Sequence, residues 1–172
     1  MRRFRAVLGL ALGVAVLAGC ERAGRDAKEP SADAARAAAF RHAFDEDVSG
    51  EYRPVAPARQ GGWRVASLYV GQETAFQAWE AGDRAHAPLQ LTLEGPEGTV
   101  VVLPTRYGVT DQALDMEGRT ADGRTVRFSA RIDVGALATA RRNLGDQAAV
   151  VAGRADIDGV RAPVALTWWG GD

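Results

Sequence analysis

Thr125-Val126-Arg127-Phe128-Ser129-Ala130-Arg131-Ile132 is the stretch that decides the fold. Val126, Phe128, Ala130 and Ile132 fall on one side of an extended chain, and Thr125, Arg127, Ser129 and Arg131 fall on the other. Period-two alternation with one polar face marks an antiparallel strand half exposed to water. The same pattern recurs where Leu89, Leu91 and Leu93 oppose Gln90, Thr92 and Glu94, and where Leu114 and Met116 oppose Asp115 and Glu117. Gly95-Pro96-Glu97-Gly98, Asp122-Gly123 and Asp158-Gly159 supply residues suited to tight hairpin turns between such runs. Strands are predicted near 63–70, 87–94, 99–104, 111–118, 124–132, 147–154 and 160–169. The fold class is therefore mainly β, a small antiparallel β-barrel or β-sandwich of about seven or eight strands.

Three segments depart from that period. Ser31 is a suitable N-cap, and the alanine-rich run that follows predicts a helix over 31–44. Phe40 and Phe44, one turn apart, would dock it on the domain. Asp45-Glu46-Asp47 would oppose the dipole and end it. Two short helices are predicted at Glu73–Ala81, around Phe76 and Trp79, and at Gly135–Asn143 after an Asp133 cap.

Composition bounds the partners. The chain has 172 residues, 21 Lys+Arg against 22 Asp+Glu, and 47% hydrophobic content. That suits one globular domain plus a targeting segment and excludes wholesale disorder. A pI near 6.1 lacks the basic surface that a phosphate backbone requires, so nucleic acid is not an expected partner. Lys28 is the sole lysine; no function is attached to the preference for arginine.

The first residues carry an address. Arg2, Arg3 and Arg5 precede the uncharged run Ala6 to Ala18, which is shorter than the roughly 20 residues of a bilayer-spanning helix. Leu17-Ala18-Gly19-Cys20 then resembles the lipobox of bacterial lipoproteins. The resemblance implies a signal peptide over 1–19, removed in the mature protein, and a diacylglycerol thioether plus an acylated amino terminus on Cys20. Cys20 is the chain's single cysteine, so no disulfide competes for it within the chain. Glu21 follows it where inner-membrane-retained lipoproteins of enteric bacteria often carry Asp, which by resemblance favours the outer membrane, facing the periplasm. Residues 20–30 are polar and aperiodic, a flexible tether, and 31–172 form a single domain. Cleavage before Cys20 removes three arginines, leaving 18 basic against 22 acidic residues, a net charge of −4. On that balance the lipid holds the chain to the membrane, and an anionic lipid surface adds nothing.

Catalytic chemistry finds little support. Gly-x-Ser-x-Gly, Ser-x-x-Lys and His-Glu-x-x-His patterns are absent from the sequence, and its histidines are His42 and His86. His42 with Asp45 reads as a solvated acidic helix end rather than a metal site, and the single thiol is taken by lipid. The sequence predicts no catalytic residues, metal or cofactor. Asp115 with Glu117 is a carboxylate pair of a kind that solvated strand faces commonly offer. Aromatic and arginine residues are better candidates for contact. In the last strand Val160, Ala162, Val164, Leu166 and Trp168 should share the core face, leaving Trp169 with Arg161 and Thr167 opposite. An exposed tryptophan beside arginine has the composition of a binding hot spot. Phe40 or Phe44 of the N-terminal helix would cover it otherwise. Arg106 and Tyr107, in the segment 104–108, are the second candidate surface.

The expected function is a membrane-anchored periplasmic lipoprotein acting as a non-catalytic binding or envelope-interaction module, with a protein or envelope polymer as partner. The alternative is a carrier of an apolar small molecule or lipid in a barrel cavity, for which inward alanines such as Ala130, Ala148, Ala152 and Ala162 would leave space. Val151-Ala152-Gly153 to Gly159-Val160 and Pro163-Val164-Ala165-Leu166 also resemble the last hairpin of YceI-like periplasmic barrels, a resemblance confined to residues 151–166 that implies such a lipid ligand.

Overall fold

The computed structural model describes residues 31–56 and 62–171. The signal peptide, lipobox and tether expected over 1–30 lie outside the described residues. Ten strands form one curled mixed sheet: β1 (Phe40–Ala43), β2 (Gly50–Pro54), β3 (Arg64–Val70), β4 (Leu89–Gly95), β5 (Gly98–Val102), β6 (Pro104–Thr110), β7 (Ala113–Arg119), β8 (Thr125–Ile132), β9 (Val151–Ile157) and β10 (Val160–Trp169). Their order across the sheet is β1-β6-β7-β8-β9-β10-β2-β3-β4-β5. The curl brings the far ends toward each other: β5 at one edge ends at Val102, and β6, beside β1 at the other, begins at Pro104 with a single residue between them. Among the described residues three helices accompany the sheet: α1 (Ala32–Ala39), α2 (Glu73–Ala81) and α3 (Val134–Arg142). Among the described residues no helix is long and apolar enough to cross a membrane.

The strand count exceeds the expected seven or eight because three strands, β1, β2 and β6, were hidden. The predicted helix over 31–44 stops at Ala39, and Phe40–Ala43 pairs in parallel with β6, Phe40 opposite Tyr107 and Ala43 opposite Thr110. That pairing also makes the sheet mixed rather than purely antiparallel. Phe40, His42 and Phe44 turn inward while Arg41 and Ala43 face water, so the period is two. β2 presents one fully buried side chain, Tyr52, whose hydroxyl donates to the Val48 carbonyl at 2.6 Å. β6 fills the gap between the strands predicted at 99–104 and 111–118, with Tyr107 and Val109 inward. The strand predicted at 147–154 lies at 151–157 instead. α2 has its predicted bounds and ends on Gly82 at φ 105°, and α3 starts from Asp133, whose carboxylate accepts from the Ala136 N–H at 2.9 Å.

The interior is filled by large side chains. Tyr52, Phe76, Phe128, Leu68, Leu89, Leu91, Leu93, Leu114 and Leu166 are all buried. Leu166 points inward as expected, but Val160 is 73% exposed, because β10 overshoots the core at its hairpin end. Trp168 packs against the core only half-buried, beside Gly50 and with the Arg141 guanidinium 5.8 Å from its ring. Arg141 donates to the Asp47 and Ser49 carbonyls and ties α3 to the chain before β2.

Burial raises the Tyr52 phenol well above its usual range, and burial followed by the Glu80 charge does the same for Tyr107. A phenol kept neutral by folding contributes fully below the pH at which unfolded tyrosines ionise, about 10, and its contribution is lost as pH rises past that value. Chemical denaturation midpoints are expected to fall steeply above pH about 10. Tyr52→Phe and Tyr107→Phe should each flatten that fall; an unchanged slope would contradict the assignment.

Candidate functional site

The outward side chains of β6–β10 form a register-locked row of charge. Arg106 stands opposite Glu117, Glu117 opposite Arg127, Arg127 opposite Asp156, and Asp156 opposite Arg161. The result is an alternating + − + − + row across five strands. Since strands lie about 4.8 Å apart, the three arginines follow one another at roughly 10 Å along the backbone. A second row one pleat away runs Arg41, Gly108, Asp115, Ser129, Arg154. Both rows border one open, shallow cleft of about 530 Å³, with Met116 and Phe128 among its lining residues.

Within the cleft some charges are self-paired and others are not. The Arg161 Nε donates to Asp156 Oδ2 at 3.1 Å, Arg127 Nε lies 3.6 Å from Glu117, and the Ser129 hydroxyl donates to Asp115 at 2.6 Å. The Arg161 hydrogen bond holds the Asp156 carboxyl below the usual carboxylate range. Arg41, Arg106 and Arg154 make no hydrogen bond or ion pair among the described residues. An arginine fork without a partner offers paired donors suited to carboxylate or phosphate oxygens. The cleft can thus hold anionic groups. Exposed pairs such as Arg127–Glu117 are worth about 0.2–1 kcal/mol each in cross-strand stabilisation and do not by themselves account for the unpaired arginines.

The candidates named from sequence separate in space. Arg106 and Arg161 both line the cleft, at opposite ends of the five-strand row, and Tyr107 lies beneath it, 3% exposed and facing the core. Trp169 shares a face with Arg161 but sits eight residues along β10, about 26 Å away. It is half-buried, and its cover is Arg53, 3.3 Å above the ring and itself paired with Glu51 at 2.9 Å. The expected cover, Phe40 or Phe44, packs elsewhere: Phe40 on Trp79 and Tyr107, Phe44 on Phe76 and His42. Asp115 and Glu117 do line the cleft, as members of the two rows.

Sequence reasoning missed one part-buried polar cluster. His42 is not at a solvated helix end; its Nδ1 lies 2.8 Å from Glu80 Oε1, and the Tyr107 hydroxyl donates to the same oxygen at 3.1 Å. His42 Nε2 faces Glu73 at 3.9 Å, and the ring stacks near Phe44 and Phe76. The imidazole's own contacts are carboxylates and aromatic rings. The cluster ties β1 and β6 to α2. No group of three His, Cys, Asp or Glu side chains among the described residues is placed to hold a metal ion.

No protein-family model, curated protein or solved structure matches the chain.

Proposed function

We propose that the chain is a lipoprotein of the cell envelope, anchored through lipidated Cys20 in the outer membrane and facing the periplasm. Its β-domain is a non-catalytic binding module for an anionic partner. The observation that carries this reading is the register that gathers Arg106, Arg127 and Arg161 into one row beside Arg41 and Arg154, three of the five without a partner. Arg106 and Arg161 belong to segments 55 positions apart in sequence, so no local structural need brings them together.

The full-length protein in neutral detergent is expected to be retained on immobilised polyglutamate at low ionic strength. It should elute as salt shortens the Debye length to about 10 Å at 0.1 M. Passage straight through at low salt would contradict the binding reading. The anchor is tested separately: Cys20→Ala should move the protein from the membrane fraction to the soluble periplasm, and its retention with membranes would sink the anchor.

The apolar-carrier reading has less support. Of the four alanines that would leave interior space, Ala130 alone is buried; Ala148 and Ala152 face water and Ala162 is half-buried. Tyr52, Phe76 and Phe128 occupy the interior where such a ligand would sit.

A further inference from the structure

We propose that the arginine-bearing face lies on the headgroup layer of the membrane to which the chain is tethered. The inference rests on the anionic-partner reading of that face and names its occupant as a lipid surface containing anionic phospholipid. Net charge alone points the other way, since the mature chain carries −4. The fold sorts that charge. With Arg131 and Arg119 added in the rows on either side, the outward side of β1 and β6–β10 carries seven arginines against Asp115, Glu117 and Asp156, a local balance of +4. The remainder of the mature chain therefore carries −8, and its field points the arginine side toward an anionic surface.

Shape and chemistry favour a surface over a strand-like ligand. The six strands span about 24 Å and the four rows about 20 Å, so the cations form a two-dimensional array rather than a single track. Unpaired guanidinium forks match phosphate oxygens, and their long stems let them reach into a headgroup layer. The interspersed carboxylates would meet the ammonium groups of zwitterionic lipids, whereas they would repel a densely charged polymer.

The tether brings the face within reach. The described chain begins at Ser31, and α1 packs against β1 and β6, the strands at the edge of this face. Ten residues, 21–30, separate it from Cys20 and can span at most about 36 Å. A tether of that length raises the effective concentration of lipid at the face, so a weak contact is enough to orient the domain.

The test uses the lipidated full-length protein in vesicles, spin-labelled at Ala152→Cys on the face or at Thr99→Cys on β5. Both positions are exposed, and Cys20 is blocked by its thioether. A headgroup-bound nickel chelate should relax the 152 label several-fold more than the 99 label in vesicles of phosphatidylcholine with phosphatidylglycerol. That excess should vanish at high salt, in pure phosphatidylcholine, and in the combined Arg106→Gln, Arg154→Gln variant. Equal relaxation at both positions in the anionic vesicles overturns the proposal. If polyglutamate still binds the protein in detergent, the anionic-partner reading stands and the membrane assignment alone falls. If it does not, both fall.

Discussion

Phe76→Ala is expected to destabilise the domain by about 3–5 kcal/mol, a large part of the 5–15 kcal/mol typical of a whole domain. Phe76 is 0% exposed and lies at the centre of an aromatic cluster rather than at its rim. Its ring meets Phe44 edge-on at 5.0 Å and Tyr107 edge-on at 5.4 Å, with His42 at 5.5 Å. These neighbours come from β1, the chain just after it, and β6. Truncation would open a cavity shared by three elements, and the short strand β1 has little other packing to hold it. Thermal unfolding should therefore drop by roughly 10 °C or more. Gln77→Ala, next along α2 and exposed, should change stability by less than about 0.5 kcal/mol. A Phe76→Ala protein as stable as the parent would mean that the cluster is not a core.

Gly153→Val is expected to cost about 3 kcal/mol or more, enough for much of the protein to be recovered insoluble. Gly153 sits in β9 between Ala130 of β8 and Val164 of β10. An added Cβ would overlap the Ser129 carbonyl oxygen and the Ala130 Cα, which are backbone atoms held in the β8–β9 ladder. Relief would require breaking that ladder at the centre of the sheet. Ala152→Val, one residue earlier and pointing to water, should be close to neutral. Equal stability of the two variants, read from denaturation midpoints, would contradict the packing described for this pair of strands.

The parts of the fold that were legible in the sequence share a property: their signal is local. Leu89-Gln90-Leu91-Thr92-Leu93 and the alternation of β8 need no knowledge of neighbours, and the hairpin at Asp158-Gly159 shows the positive φ that its residues suggest, 53° and 87°. β1 was misread because Phe40 and Phe44 lie four apart, a spacing that shares a face on a helix and on a strand alike. The alanines before them tipped the reading to helix. What decides otherwise is the open edge of β6, a partner 67 residues away in sequence. β2 was lost because it is short and buries one side chain, and β6 because its buried positions Pro104, Tyr107 and Val109 fall out of a strict period of two where a bulge interrupts the strand.

The site divides the same way. Arg106 and Arg161 were singled out for separate local reasons, and only cross-strand register makes them one row with Arg127. His42 and Glu80 lie 38 positions apart, so nothing near either residue in the chain announces their hydrogen bond. One signal was available: arginine recurs at outward positions of successive strands, at 106, 127, 131, 154 and 161. Composition alone had dismissed it.

The most direct measurement compares the polyglutamate affinity of the full-length protein with that of the combined Arg106→Gln, Arg154→Gln variant. Arg142→Gln, exposed on α3 away from the cleft, is the control. The combined variant is expected to bind at least about tenfold more weakly, about 1.4 kcal/mol, and to respond less to salt. Arg142→Gln should match the parent. Equal weakening of both variants would mean that binding follows net charge rather than the arginine row, and would contradict the account.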